Sequence, residues 1–316
     1  MKIVCLDGYT LNPGDQSWEG FRALGDFTCY DRTAPEEVLS RAKGAEALLI
    51  NKTMLREETL EKLPDVKYIG VLATGYNVVP LDYVKARGIH VTHVPNYGTD
   101  TVAQHVFALL LYWSNHVSQY HVSVQRGDWI QCPDFTYMRE PLMELSGKTM
   151  GIIGMGRIGK KVASIAEAFG MRVVTLKRSK DPGYPELPLE ELLAQSDVVS
   201  LHCPLTQENR HLIGEQALKQ MKETAILINT SRGPLVDEKA LVVALEEGVI
   251  AGAALDVIEE EPMGEGSPLL GVKNLLVTPH IAWASREARE RLMAIAVDNL
   301  KSFMAGDSLN LIKELQ

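Results

Sequence analysis

Three polar side chains that can work as one unit follow consecutive apolar runs in the second half of the chain. Arg232 comes after AILINTS, Glu261 after AGAALDVIEE, and His280 after NLLVTP. A guanidinium grips a carboxylate in a forked geometry, and an imidazole exchanges a proton near neutral pH. A neighbouring carboxylate favours the protonated imidazole, so Glu261 can keep His280 ready as an acid. The trio predicts a site that holds a small acid and moves a proton.

Taken singly, each of these residues has an ordinary alternative. Arg232 is then a surface arginine, Glu261 is one of three consecutive exposed acids, and His280 is a packed loop histidine. A catalytic role is favoured because the three residues follow consecutive candidate strands and would come together. If the three apolar runs are parallel strands, their carboxyl ends lie at one edge of a sheet, where open α/β sheets bind their ligands.

The segment GIIGMGRIGKKVASIAEAFG places a glycine loop, Gly154, Gly156 and Gly159, between an apolar run and an amphipathic helical pattern. In such a unit the first glycine permits a tight turn, the second lets a pyrophosphate approach the backbone, and the third allows close packing of helix on strand. The helix N-terminus adds N–H donors and a positive dipole end. The loop, with Arg157 and Ile158, predicts dinucleotide binding; the alternative is a turn with a structural role only.

A dinucleotide beside the trio indicates hydride transfer to a 2-oxo acid, which needs a cation for its carboxylate and a proton for the developing alkoxide. The next strand leads into LKRSKDPG, about 20 residues after the glycines, where an acid would bind the ribose 2′-hydroxyl of NAD. Lys177, Arg178 and Ser179 stand there instead and can bind a 2′-phosphate. We expect NADP to be preferred; if these side chains point to solvent, NAD is used as well.

Short apolar strands alternate with amphipathic helices along the whole chain, which is typical of parallel α/β architecture. The second half holds six candidate strands in series, as a dinucleotide fold requires. Before them, a long helix is predicted from about Thr101 to Gln125, and the irregular stretch 127–148 resembles a domain connection. The candidate strands of the first part cover 2–6, 47–50, 68–72 and 90–94.

These elements predict two doubly wound parallel-sheet domains. A Rossmann-type dinucleotide-binding domain is expected over 99–286. A smaller, flavodoxin-like substrate domain is expected to be discontinuous, with 1–98 and 287–316, because the last helix, which opens at Ser285, can carry the chain back to it.

Composition excludes several other classes of protein. With 41 Asp and Glu against 32 Lys and Arg, the net charge of −9 argues against nucleic acid as a partner. The most apolar stretch, 106–113, is shorter than the roughly 20 residues that cross a bilayer, and Met1 leads into no signal peptide. We therefore expect a cytoplasmic protein without a membrane partner. The four cysteines lack metal-ligand spacing, so reduced thiols and no metal site are expected at Cys5, Cys29, Cys132 and Cys203.

Four motifs together, GIIGMGRIG, NTSRGPLVDEKAL, AALDVIEEEP and TPHIAW, resemble the D-isomer-specific 2-hydroxyacid dehydrogenases, and the similarity runs over essentially the whole chain. VLATGYNVV and HIAWAS are most similar to the glycerate dehydrogenase or hydroxypyruvate reductase branch. The resemblance implies that Arg232, Glu261 and His280 are the catalytic residues and that the active site lies in a cleft between two α/β domains. It also implies a homodimer that reduces hydroxypyruvate or glyoxylate to the D-2-hydroxy acid and catalyses the reverse reaction.

The same resemblance implies binding residues outside the trio. The backbone near Thr74 and Gly75 would receive the substrate carboxylate, Lys52 would add positive charge, and Trp283 would line the pocket. The alternatives are a solvated Lys52 and a Trp283 packed between domains. Further cofactor contacts are expected in the later parts of the second series, at Cys203, Pro204, Thr230, Ser231 and Asp256.

Two other functions stay open at this point. The chain could act on another acid, as D-lactate, phosphoglycerate and formate dehydrogenases of the same family do. It could also keep the fold as a nucleotide-sensing interaction protein. A substrate panel separates these functions, because a sensor turns over little of any 2-oxo acid.

Overall fold

The structure, a computed structural model, describes residues 1–176 and 183–312, and its contacts divide the chain into two compact units. Unit 1 combines Met1–Gly98 with the chain from Ala284 onward, and unit 2 runs from Thr99 to Trp283. The strand pairs of both units are parallel. Parallel strands need crossover connections, and the helices that form them cover the sheet faces.

Unit 1 contains a five-stranded sheet in the flavodoxin-like order β2-β1-β3-β4-β5. Its strands, numbered along the chain, are β1 (Lys2–Cys5), β2 (Asp26–Cys29), β3 (Ala47–Ile50), β4 (Tyr68–Val71) and β5 (His90–Thr92). The strands β3 and β4 are buried along their whole length, which explains why continuous apolar runs predicted them. The edge strand β2 is only partly buried, and its DFTC segment has no such run, so the sequence does not predict it.

The helices of unit 1 are short except for the last one. Helix α11 (Arg286–Met304) begins where the Ser285 hydroxyl accepts the Ala288 N–H at 3.2 Å, which is the N-cap that the sequence predicts. It packs on β4. The other helices are α1 (Glu19–Arg22), α2 (Val38–Ala42), α3 (Glu57–Glu61) and α4 (Leu81–Ala86), with a 3₁₀ turn at Pro35–Glu37.

Unit 2 contains a seven-stranded sheet in the order β12-β11-β10-β9-β6-β7-β8. The strand order reverses between β6 and β9, which is where doubly wound sheets bind ligands at their carboxyl edge. The predicted fold class, two doubly wound parallel-sheet domains, is confirmed. The strands are β6 (Thr149–Ile153), β7 (Arg172–Leu176), β8 (Glu186–Leu187), β9 (Val198–Leu201), β10 (Ile226–Asn229), β11 (Gly252–Leu255) and β12 (Leu275–Val277).

Successive residues of these strands face opposite apolar layers. On β10, Leu227 belongs to one buried cluster, whereas Ile226 and Ile228 belong to the other. This is the strand period of two with both faces covered. The helices of the unit are α5 (Thr99–Asn115), α6 (Val117–Gln125), α7 (Arg157–Ala168), α8 (Leu189–Gln195), α9 (Glu215–Gln220) and α10 (Glu238–Glu246), with a 3₁₀ turn at Gly233–Leu235.

The sheet of unit 2 contains the two-residue strand β8 in addition to the six expected strands. Two further features differ from the sequence-based expectation. The long helix predicted from Thr101 to Gln125 is broken, because His116 has a φ of 49° and a right-handed helix does not continue through a left-handed residue. The stretch 127–148 lies inside unit 2, so its interpretation as a domain connection is wrong. Within the described residues, no helix is both long and apolar enough to span a membrane.

Candidate active site

The glycine loop joins β6 to α7 and leaves open space at one of its three glycines. Gly154 has a φ of 107°, and a Cβ there would lie 2.5 Å from the Cys203 backbone nitrogen. A Cβ on Gly159 would lie 2.2 Å from the Gly154 carbonyl oxygen, whereas a Cβ on Gly156 would meet no atom within 4 Å. Gly156 is the N-cap of α7, and the first N–H groups of a helix lack partners within it. Open space beside such groups fits the pyrophosphate of a dinucleotide.

The loops after β9 and β10 carry four of the predicted cofactor contacts. The Ser231 hydroxyl donates to the Cys203 carbonyl at 2.6 Å, and Asn209 Nδ2 donates to the Pro204 carbonyl at 2.8 Å. Burial raises the pKa of the Cys203 thiol, so this side chain offers a neutral surface. The Thr230 hydroxyl is buried and has no hydrogen-bond partner among the described residues. Because buried polar groups normally have partners, Thr230 also fits a ligand at this edge.

Arg232 is presented by a turn that Asn229 fixes. Asn229 is fully buried at the end of β10. Its Nδ2 donates to the Arg232 carbonyl at 2.9 Å, and its Oδ1 accepts the Ser231 N–H at 3.0 Å. The Arg232 guanidinium donates from Nη1 to the Ser231 carbonyl at 2.7 Å. A guanidinium has five N–H donors, so this bond is compatible with gripping a substrate carboxylate.

His280 and Glu261 are in direct contact. Nδ1 of His280 lies 2.6 Å from Oε2 of Glu261, and each side chain is 31% exposed. A carboxylate only accepts hydrogen bonds, so Nδ1 carries the hydrogen and Nε2 is the nitrogen that can exchange a proton with a substrate. The Ile258 N–H donates to Oε1 of Glu261 at 3.2 Å and so fixes the carboxylate. The structure therefore brings together the acid–base pair that the sequence predicts.

Asp256 holds the main chain around His280. The backbone of His280 has a left-handed φ of 53°, which is uncommon for a residue other than glycine. The Asp256 carbonyl accepts the His280 N–H at 2.8 Å. The buried Asp256 carboxylate accepts the N–H groups of Ile281 and Ala282 at 2.9 and 2.8 Å. These bonds stabilise a backbone conformation that would otherwise be disfavoured.

Two further donors meet the same carboxylate. The Thr278 hydroxyl donates to Asp256 Oδ1 at 2.6 Å, and His105 Nε2 lies 3.4 Å from that oxygen. Burial acts to raise the pKa of Asp256, but the hydrogen bonds from His105, Thr278 and the two amides outweigh it, and the pKa is lowered. The carboxylate thus stays charged in the fold. The sequence does not reveal this positioning role of Asp256. The contact of Asp256 with a cofactor, which the sequence predicts, stays a prediction.

A second buried carboxylate supports the segment that carries Glu261. Glu238 is only 9% exposed, and its Oε1 accepts the Glu259 N–H at 2.6 Å. The Glu259 side chain is hydrogen-bonded to His211 Nε2. Burial raises the pKa of Glu238. The sequence gives no signal for this role, because Glu238 follows the N-cap Asp237 of α10 and resembles any acid in a first helical turn.

Lys52, a predicted substrate residue of unit 1, lies in a turn that Asp7 holds. The Asp7 carboxylate accepts the N–H groups of Asn51, Lys52 and Thr53 at 2.8, 2.6 and 2.6 Å. The Lys52 side chain is exposed. Asp7 therefore fixes the backbone of this turn at the carboxyl end of β3. In the sequence, this role of Asp7 is marked only by an acid that closely follows a candidate strand.

The remaining predicted residues lie in three places. Thr74 and Gly75 follow β4, and the Thr74 hydroxyl donates to the Val94 carbonyl at 2.9 Å. Trp283 is half-buried at the end of unit 2. The predicted contacts to a 2′-phosphate lie outside the described residues: Lys177, Arg178 and Ser179.

In the part of the chain that the structure describes, no group of three His, Cys, Asp or Glu side chains could hold a metal ion.

Comparison with known proteins identifies the family. Residues 107–282 match the model of the D-isomer specific 2-hydroxyacid dehydrogenase, NAD binding domain. A hydroxypyruvate reductase of Blautia hydrogenotrophica is 47% identical, and the similarity covers 99% of this chain and 100% of that one. A glycerate dehydrogenase of Methylorubrum extorquens is 43% identical over 99% of both chains.

A solved structure agrees with this assignment. An NADPH-dependent glyoxylate/hydroxypyruvate reductase of Sinorhizobium meliloti, in complex with NADP and malonate, has a TM-score of 0.84 at 28% identity. The match covers 99% of this chain and 97% of that one. The resemblance found in the motifs is thus confirmed, and the chain belongs to the D-isomer-specific 2-hydroxyacid dehydrogenases, a family of oxidoreductases.

Proposed function

We propose that the protein reduces a small 2-oxo acid, hydroxypyruvate to the D-2-hydroxy acid or glyoxylate to its achiral 2-hydroxy acid, and that it also catalyses the reverse reaction. The observation that carries this proposal is the 2.6 Å contact between His280 Nδ1 and Glu261 Oε2. It lies at the same sheet edge as the glycine loop, since the strands of unit 2 are parallel. The names of the relatives that cover nearly the whole chain support the substrate class.

The three side chains divide the work on the substrate. Arg232 binds the substrate carboxylate and polarises the neighbouring carbonyl. His280 gives the proton on Nε2 to the carbonyl oxygen, and Glu261 stabilises the charged imidazole before transfer and keeps its ring oriented. A bound nicotinamide cofactor supplies the hydride to the carbonyl carbon. In the oxidation direction, Nε2 takes the proton from the substrate hydroxyl.

The cofactor would be held by the glycine loop and the loops after β9 and β10. The open space at Gly156 and the unpartnered buried hydroxyl of Thr230 support this assignment. We also propose NADP as the preferred cofactor, because the cations after β7 can pair with a 2′-phosphate. A relative described as NADPH-dependent is consistent with this preference, whereas the name of the family model points to NAD. Arg157, Ile158, Cys203, Pro204 and Ser231 stay predicted cofactor contacts.

The finer substrate contacts are proposals as well. Thr74 and Gly75 would receive the substrate carboxylate through their main chain, and Lys52 would add positive charge. The bonds from Asp7 to the turn of Lys52 support this role, because they give that turn a fixed backbone. Trp283 would line the pocket.

A cytoplasmic location also stays a prediction from the sequence.

The experiment that tests the function is a panel of initial rates with hydroxypyruvate, glyoxylate and pyruvate, each with NADH and NADPH. Hydroxypyruvate or glyoxylate should have a higher kcat/KM than pyruvate. For hydroxypyruvate the reason is its hydroxyl, because a site built to hydrogen-bond a hydroxyl strongly rejects pyruvate, which lacks it. A higher kcat/KM for pyruvate would favour a lactate-type enzyme, and negligible turnover of all three acids would favour a nucleotide sensor.

We further propose that unit 2 pairs with a second copy of the chain to form a homodimer. Large apolar side chains are exposed within a short part of this unit: Val117 by 66%, Ile130 by 89%, Phe135 by 88% and Met138 by 81%. Such a concentration indicates a surface that another protein covers. Sedimentation should give a dimer for the parent and a monomer for the Ile130→Asp, Phe135→Asp double variant. A parent that sediments as a monomer would refute the proposal.

A further inference from the structure

Two cysteines of unit 1 lie directly opposite each other in the sheet. Cys5 ends β1, Cys29 ends β2, and the parallel register pairs them. Residues paired in this way point to the same face, and neighbouring strands lie about 4.8 Å apart. A disulfide needs about 4.4–6.8 Å between its Cα atoms. The register therefore gives the two residues a strand spacing within the Cα range of a disulfide.

The two thiols interact with each other and differ in exposure. Cys5 is buried, whereas Cys29 is partly exposed. The side-chain interaction of the two thiols is the largest cause of both pKa shifts: it lowers the pKa of Cys29 and raises the pKa of Cys5. A Cβ on Gly8 would lie 2.4 Å from Cys29 Sγ. The absence of a side chain at Gly8 therefore makes room for the Cys29 sulfur. A partly exposed thiol beside a protected one suits an attacking and a resolving cysteine.

We propose that Cys5 and Cys29 form a redox modification site, which a hydroperoxide converts to an intrachain disulfide across β1 and β2. The Cys29 thiolate attacks a peroxide oxygen and breaks the O–O bond, which yields a sulfenic acid on Cys29 and, after protonation, one water when the oxidant is hydrogen peroxide. The Cys5 sulfur then attacks the sulfenic sulfur, the S–S bond forms, and the second water leaves with the Cys5 proton. The two thiols lose two electrons and two protons, which reduce the peroxide to water.

The other two cysteines have no cysteine opposite them in a sheet. Both lie in unit 2. Burial raises the pKa of Cys203, which reduces its thiolate fraction. Cys132 lies in the turn-rich stretch after α6, where its thiol donates to the Thr136 carbonyl at 3.7 Å, just as the Cys29 thiol donates to the Tyr30 carbonyl at 3.7 Å. Neither residue belongs to a strand, so the register that aligns Cys5 with Cys29 has no counterpart there. Oxidation to a disulfide should therefore be selective for the pair in unit 1.

Peptide mapping of the full chain tests this proposal without any assay of turnover. The reduced protein is treated with hydrogen peroxide, alkylated under denaturing conditions, digested and analysed by mass spectrometry. We expect one linked pair of peptides, Cys5 to Cys29, which dithiothreitol separates, while Cys132 and Cys203 remain open to alkylation. The absence of this linked pair, or a linkage that joins other cysteines, would overturn the proposal.

Three variants locate the steps. Cys132→Ser is the matched control and should give the same linked pair as the parent. Cys29→Ser should abolish the linkage. Cys5→Val should leave Cys29 as a sulfenic acid that dimedone traps, because the resolving thiol is absent. If Cys29 in the Cys5→Val variant reacted no more with dimedone than Cys132 does, Cys29 would not be the attacking thiol and the proposal would fail.

Discussion

Removing the charge of Glu261 should slow the reaction because Glu261 stabilises and orients the His280 imidazole. The size of the effect should match the strength of that one contact. The 2.6 Å contact joins two side chains that are each 31% exposed. A hydrogen bond to a charged group contributes about 1.5–3 kcal/mol, and because solvent screens part of this pair we expect the lower half of that range. Glu261→Gln should therefore reduce kcat by about 13- to 45-fold, since 1.36 kcal/mol is tenfold in rate. His280→Ala removes the proton donor itself and should cost about 10²- to 10⁴-fold.

A double-mutant cycle separates this reasoning from a general loss of structure. Initial rates of hydroxypyruvate reduction would be measured at saturating cofactor for the parent, the two single variants and the double variant. Because Glu261 acts through the imidazole, Glu261→Gln should change kcat by less than about twofold in the His280→Ala background. Glu260→Gln, at an exposed neighbouring acid, is the matched control and should leave kcat within about twofold of the parent.

Two results would refute this assignment. If His280→Ala reduced hydroxypyruvate at a near-parental rate, the assigned acid would be wrong. If the losses of the two single variants multiplied in the double variant, Glu261 would act independently of His280.

Three further predictions test the surroundings of the trio. The Gly156→Ala variant should keep its fold, because the added Cβ meets only open space, but should bind dinucleotide at least about tenfold more weakly. Gly154→Ala should instead lower the free energy of unfolding by more than about 1–2 kcal/mol. Equal changes of melting temperature in the two variants would contradict this. Asp256→Asn should lower the urea-derived free energy of unfolding by about 1–3 kcal/mol at pH 7. Because the folded-state pKa of Asp256 is lowered, its contribution is present above about pH 4 and is lost as the pH falls through the folded value, so a parent–variant difference that stays constant on acidification would refute it. Lys177→Asp with Arg178→Ala should shift the preference from NADPH to NADH chiefly through the cofactor KM, whereas a parent with equal or better kcat/KM for NADH would contradict the role of these cations.

It could be predicted that the three residues follow strands ending at one edge of a sheet, because this depends on strand direction alone. The apolar runs before Arg232, Glu261 and His280 contain β10, β11 and β12, which are neighbours in one parallel sheet. Parallel strands end at the same edge whatever their exact bounds. Errors of a residue or two in those bounds therefore did not affect the expectation.

The supports of the site could not be predicted, because they depend on which main-chain groups face a carboxylate after folding. Asp256 binds amides 25 and 26 residues away, and Glu238 binds an amide 21 residues away. No residue pattern marks such pairs. The left-handed backbone of His280 and of His116 is equally hidden, because histidine gives no sign of it and only the surrounding bonds select it.

His280, the proposed catalytic acid, is positioned through peptide groups, which leaves the side chains beside it open to variation. Asp256 binds the N–H groups of Ile281 and Ala282, and the Ile281 side chain is 45% exposed. Every amino acid except proline carries that N–H. Position 281 can therefore change in size and polarity, over generations or at the bench, while the histidine before it keeps its position. The enzyme can alter the surface next to its acid without rebuilding the acid, and proline is the substitution that selection should exclude there.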